Sequence, residues 1–101
     1  MVLVAGRDQI DWRKLRQLVK RSRVRMATEE EVLVVTGYRI GAVSPFGIKT
    51  PVQILIDESV LKEDEISIGS GTRQMAIIMM STDLRQTLPD SEIVSLTESG
   101  V

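Results

Sequence analysis

Thr36-Gly37-Tyr38-Arg39-Ile40-Gly41-Ala42-Val43-Ser44-Pro45-Phe46-Gly47, followed by Ile48-Lys49-Thr50-Pro51, places three glycines and two prolines within sixteen residues. The run separates two apolar stretches, Val32 to Val35 and Val52 to Ile56. Glycine lets a backbone take positive φ or approach another group closely, and proline fixes φ and removes a donor. A segment built this way is a shaped loop between packed elements rather than a slack linker. Loops so held carry binding and catalytic groups more often than the elements they join. On composition alone, a long structural turn is an equally good reading.

Outward from this loop the pattern alternates strand and helix. On the N-terminal side, Val2 to Ala5 reads as a short buried strand. Asp11 is placed to cap a helix over Trp12 to Lys20, with Trp12, Leu15, Leu18 and Val19 as the inward stripe. Arg23 to Met26 alternates polar and apolar, as a half-buried strand does. Thr28 and Glu31 form a capping box for a helix that ends at Gly37. On the C-terminal side, Val52 to Ile56 reads as a strand and Asp57 to Asp64 as a charged connection. Glu65 to Ile68 is a short strand, turned by Gly69-Ser70-Gly71-Thr72. Gln74 to Met80 is nearly continuously apolar and reads as a buried central strand. Ser81 caps a helix over Thr82 to Leu88, Pro89 stops it, and Glu92 to Leu96 is a final strand. The expectation is a mixed α/β (α+β) fold, one domain over residues 1–101, with residues 97–101 frayed.

Composition narrows the classes. The chain has 101 residues, 43% apolar but only 3% aromatic, so aliphatic side chains and five methionines must fill the core. No run approaches the ~20 apolar residues that span a bilayer. Met1 to Ala5 is short for a signal-peptide core and has no basic leader, so a cytoplasmic protein without a membrane partner is expected. There is no cysteine and no histidine. Disulfides, thiol chemistry, histidine-based triads and histidine–zinc sites are therefore excluded.

Charge is unevenly placed. Residues 1–25 hold eight basic side chains against Asp8 and Asp11, while the remainder holds five basic and twelve acidic. Arg13, Lys14, Arg16, Lys20 and Arg21 cluster on and just after the first helix. Such a face suits phosphates, or is simply solvated. Elsewhere the polar motifs are weak. Glu29, Glu30 and Glu31 are consecutive at a helix start, where they favour the helix N-terminus and do not face one another. Asp57-Glu58 reads as a solvated turn in preference to a cation site. Gly69-Ser70-Gly71-Thr72 is either an anion-cradling nest of amides or a plain turn, and it lacks the P-loop lysine pattern.

The order of these residues resembles the YbaK / prolyl-tRNA-synthetase-associated domain family of aminoacyl-tRNA editing deacylases. The likeness runs through the glycine-rich loop and Lys49 to Ser59, then Ile68-Gly69-Ser70-Gly71 and Ser81-Thr82-Asp83-Leu84. Upstream it takes in Ile10 to Leu15 and Val24 to Ala27, so it covers nearly the whole chain in collinear order. The resemblance implies an irregular six- or seven-stranded mixed sheet or partial barrel with short flanking helices. It implies hydrolysis of the ester joining a wrong amino acid to tRNA, with no cofactor or metal. Backbone donors, with Gly41 as the pocket glycine acting through its main chain, would stabilise the oxyanion. Gly37, Tyr38, Pro45, Phe46 and Gly47 of the loop, and Gly69, Ser70 and Gly71 of the turn, would border the substrate; Tyr38 could equally pack. Arg13, Lys14, Arg16, Lys20 and Arg21 become candidate tRNA contacts.

Two departures go with the resemblance. The family's lysine, in a Lys-Thr-Leu strand, lies N-terminal to anything matched here, and Lys49 is a different residue beyond the loop. Ala76 stands where some members are acidic. The chain is thus expected to be a shortened editing domain that pairs as a homodimer through the Val2–Ala5 edge. The expected partners are the aminoacylated 3′ end of tRNA and an aminoacyl-tRNA synthetase. Two other readings stay open: a tRNA-binding relative without hydrolysis, and a protein-interaction module.

Overall fold

The computed structural model describes residues 1–5, 9–72 and 75–97. Three parallel strands form one sheet: β1 (Val2–Leu3), β2 (Leu55–Asp57) and β5 (Glu92–Val94), in the order β1-β2-β5. A separate antiparallel hairpin joins β3 (Glu65–Gly69) to β4 (Ala76–Met80). Three helices complete the fold: α1 (Trp12–Val19), α2 (Glu29–Thr36) and α3 (Ser81–Thr87). A 3₁₀ turn, Glu58–Lys62, leads from β2 to the hairpin.

The parallel sheet is covered on both faces, as parallel sheets require. Successive residues of β2 point to opposite sides, so Leu55 and Ile56 anchor different cores. Leu55 packs with Leu15 of α1 and with Leu96. Ile56 packs with Val60 of the 3₁₀ turn and Leu84 of α3, joined by Leu3, Phe46, Ile66, Ile68 and Met79. The second core therefore holds the glycine-rich loop and the hairpin against the sheet.

The local signals for α1 and α2 act as their chemistry predicts. The Asp11 carboxylate accepts from the Arg13 and Lys14 amides at 3.0 and 3.2 Å. Thr28 and Glu31 make the reciprocal capping box, and Gly37 ends α2 in the left-handed region at φ 81°. Arg25 grips Glu31 with two bonds of 2.7 and 2.9 Å.

The mixed α/β class is as expected, but several elements differ. The described strands number five in two sheets, where one sheet of six or seven was expected. Residues 23–26 form no strand: they pair with no strand, and only Val24 packs inward while its neighbours are exposed. Val52 to Ile54 precede β2 without strand pairing. Ser81 is the first helical residue rather than the cap; Met80 holds that position without a side-chain bond, and the Ser81 N–H donates to Asp64 O at 2.8 Å. β4 is not a buried central strand, since Ala76, Ile78 and Met80 face solvent and only Ile77 and Met79 face inward. Of residues 97–101, expected to fray, Thr97 is held instead, bridging Ile10 and bonded to Asp57; residues 98–101 and Gln74 lie outside the described residues. Among the described residues, no helix is long and apolar enough to cross a membrane.

Candidate functional site

The loop between α2 and β2 folds back on itself and then onto the hairpin. Thr36 Oγ1 donates to Val32 O at 2.6 Å and accepts the Tyr38 N–H at 3.0 Å, which fixes the exit from α2. Tyr38 spans the loop, and its hydroxyl donates to the Phe46 carbonyl. Ser44, almost fully buried, accepts the Phe46 N–H at 3.2 Å through Oγ.

Two glycines of the β3–β4 turn make this docking possible. A Cβ on Gly69 would sit 2.0 Å from Val43 O, closer than any side-chain carbon can come. A Cβ on Gly71 would sit 2.7 Å from the Tyr38 ring. The Gly71 N–H then donates to Ala42 O at 2.9 Å, sealing loop to turn. These glycines serve close approach of two backbones, which any side chain would prevent.

Between loop, hairpin and parallel sheet lies a cavity of about 460 Å³, open to solvent. Val43 and Pro45 line it from the loop, Ser59 and Val60 from the 3₁₀ turn, and Leu84 from α3. Residues 2–5 and 65–69 form its two long sides. Glu63 and Glu65 supply carboxylates, and no lysine or arginine lines it among the described residues.

The anticipated site residues divide into groups. Pro45 and Gly69 line the cavity. Phe46 packs into the core beneath it. Gly37 caps α2, Gly47 lies under the Tyr38 hydroxyl, and Tyr38 and Gly71 are engaged with each other. The Ser70 hydroxyl is within reach of the Met75 and Thr72 carbonyls at 2.9 and 3.2 Å, and it accepts the Thr72 N–H. The turn's amides are thus already engaged, Gly71 with Ala42 O of the loop and Thr72 with Ser70 Oγ. Gly41 is exposed at φ 90°, and its N–H has no hydrogen-bond partner among the described residues. Arg13, Lys14, Lys20 and Arg21 are exposed and Arg16 is half-buried. They belong to α1 and its exit, and α1 packs on the Leu55 face of the sheet, opposite the Ile56 face where the cavity opens.

Asp57 overturns the reading of a solvated turn. It is fully buried, and its carboxylate accepts N–H bonds from Leu96 at 2.6 Å, Ser59 at 3.0 Å and Thr97 at 3.2 Å. Burial disfavours its charge, yet the nearby Ser59 hydroxyl and these N–H groups outweigh that and hold its pKa below the ordinary aspartate value. Asp57 ties the end of β2 to the segment after β5 and caps the 3₁₀ turn whose Ser59 and Val60 line the cavity. Its bonds from the Leu96 N–H and from the Thr97 N–H and hydroxyl reach across 39 and 40 residues. No local pattern reveals them. Val60 and Leu84 were likewise missed, being ordinary apolar residues that become cavity walls only in the packed fold.

The aminoacyl-tRNA editing domain family matches residues 1–87. The chain belongs to this family. Among relatives, it is 31% identical over 86 residues to the uncharacterized protein YwhH of Bacillus subtilis, covering 85% of this chain and 54% of that protein. It is 28% identical over 78 residues to a proline–tRNA ligase of Pelobacter propionicus, covering 77% of this chain and 14% of the ligase. A solved structure described as a candidate trans-editing enzyme for prolyl tRNA synthetase superposes with a TM-score of 0.84 at 32% identity, covering 97% of this chain and 61% of that one. The chain thus spans about half the length of YwhH and less than two thirds of that solved structure.

Proposed function

We propose that residues 1–101 act as one editing domain that hydrolyses the aminoacyl ester of mischarged tRNA. One observation carries the reading: the glycine-rich loop and the hairpin turn, far apart in sequence, converge through Val43, Pro45 and Gly69 on one solvent-open cavity. Its apolar floor of Val43, Pro45, Val60 and Leu84 suits a small aminoacyl side chain. Glu63 and Glu65 at its side suit the α-ammonium group. Water adds to the ester carbonyl, the C–O bond to the ribose breaks, and the ribose oxygen leaves with one of the water's protons. The other proton passes to solvent and the amino acid departs as its carboxylate. The developing oxyanion calls for backbone donors, for which the Gly41 N–H is our candidate.

Two relatives or neighbours are named for proline tRNA charging, so a mischarged tRNA for proline is the first substrate to assay, and a prolyl-tRNA synthetase the first protein partner. Release of a small amino acid from mischarged tRNA of the proline type, above the spontaneous rate, is the expected result. Gly41→Val, compared with parent for both rate and thermal stability, should lose hydrolysis. The absence of any lysine or arginine from the described cavity wall favours a second reading, binding of the aminoacylated end without hydrolysis. Tight binding of charged tRNA with an unchanged ester lifetime would establish the second reading over the first. Location in the cytoplasm, where tRNA is charged, and a homodimer belong to the same proposal.

A further inference from the structure

The loop reaches the cavity through Val43 and Pro45, and the free Gly41 amide stands just before them in the chain. All three lie inside one ring, because the Tyr38 hydroxyl donates to the Phe46 carbonyl and closes residues 39–45 between them. Within that ring the Ala42 N–H donates to Arg39 O at 3.0 Å, which makes residues 39–42 a tight turn. Gly41 stands third in it at φ 90°, and Ile40 before it has no positive φ, the pattern of a type II turn. The two flanks of this turn meet at Gly71. The Gly71 N–H donates to Ala42 O at 2.9 Å, and a Cβ on Gly71 would sit 2.7 Å from the Tyr38 ring. A Cβ on Gly47 would likewise come within 3.1 Å of the Tyr38 hydroxyl. Tyr38 therefore meets the exit of α2, the far end of the loop and the hairpin turn. A phenylalanine would fill the same space against Gly71, and only the hydroxyl joins the two ends of the ring.

We propose that Tyr38 is a positioning residue for the ester hydrolysis, its hydroxyl holding the Gly41 turn in place beside the cavity. The inference rests on the hydrolytic reading above and adds to it a residue that need not touch the substrate. Open at one end, residues 39–41 would carry the Gly41 amide through many arrangements, since their side chains are exposed. The bond to Phe46 removes those arrangements before the substrate arrives, and a donor already in place stabilises an oxyanion without reorganising. The floor is less dependent on this tie. Val43 stays docked on Gly69 without the hydroxyl, and Val60 and Leu84 belong to other elements. Loss of the hydroxyl therefore falls on kcat more than on KM.

The test compares the parent, Tyr38→Phe and Thr28→Ala on mischarged tRNA of the proline type. Tyr38→Phe should lower kcat by about tenfold to a hundredfold, the effect of a reacting group displaced by about 1 Å. Its KM should change by less than about threefold, as expected when a group acts in the transition state alone. Thr28→Ala loosens the start of α2, so it should lower the melting temperature and leave kcat at the parent value. An unchanged kcat in Tyr38→Phe overturns the proposal, and so does an equal loss in Thr28→Ala, which would trace the effect to stability alone. Hydrogen exchange of the Ala42 amide, which closes the turn, is measured in the same three proteins. Tyr38→Phe should speed it by about tenfold through local opening, and Thr28→Ala should not. A parent that releases no amino acid ends the hydrolytic reading, yet faster Ala42 exchange in Tyr38→Phe would still establish the hold of Tyr38 on the turn. Unchanged Ala42 exchange overturns the positioning role whatever the turnover.

Discussion

At the scale of single residues, the site depends on one absence and one buried charge. Gly69 has no Cβ because Val43 O occupies its place. Gly69→Ala should cost about 1–3 kcal/mol by forcing the loop off the turn, which is overpacking of a tight contact. Denaturant unfolding measures it, and an unchanged midpoint would mean that loop and turn are not docked. Asp57 depends on its charge. A carboxylate held below its usual pKa stabilises the fold above the unfolded value, near 4, and loses that contribution as pH falls through the lower folded value. Stability should therefore fall on acidification below about pH 4, in part because Asp57 takes up a proton. Asp57→Asn should cost about 2–3 kcal/mol at neutral pH and flatten that acid limb. A parent and variant with the same pH dependence would contradict this account.

At the scale of elements, α2 is held chiefly by its start. Its charged face is supported by Arg25, whose guanidinium, with the Thr28 backbone, holds Glu31 at a pKa of about 2. Thr28→Ala removes the cap and should cost about 1 kcal/mol, read by thermal melting. α1 poses a functional question. Its basic residues lie across the sheet from the cavity, so tRNA reaching both must wrap the sheet edge. Reversing Arg13, Lys14 and Arg16 to glutamate should weaken tRNA binding and flatten its salt slope, since fewer counterions are released. Binding that matches the parent across a salt series would remove α1 from the tRNA interface.

At the scale of the whole molecule, the hairpin leaves an apolar outer face. Met75 is 68% exposed, Ile78 67% and Met80 45%. Ile78 stands opposite Ser67, and Met80 opposite Glu65, so the face is only partly screened by polar neighbours. Exposed apolar surface on a free hairpin favours association. Light scattering should show a mass that rises with concentration toward a dimer, and Ile78→Glu should return it to the monomer. A monomeric parent at every concentration would end the homodimer proposal.

The sequence by itself determined whatever rests on neighbours in the chain. The Asp11 cap, the Thr28–Glu31 capping box and the Gly37 stop are made by residues within a few positions of each other, so their chemistry is complete locally. The glycine-rich loop and the Gly69 turn were also legible as special backbone, and their order was enough to indicate the family. Tertiary structure alone decided what those glycines are for, because Gly69 meets Val43 and Gly71 meets Tyr38 only when the hairpin docks on the loop. It alone made Asp57 a buried tie rather than a surface charge, through partners near the far end of the chain. It also turned β4 from an expected central strand into a half-exposed hairpin strand. An apolar run states only that its side chains can be buried, and whether two layers arrive to bury them depends on elements far away in sequence.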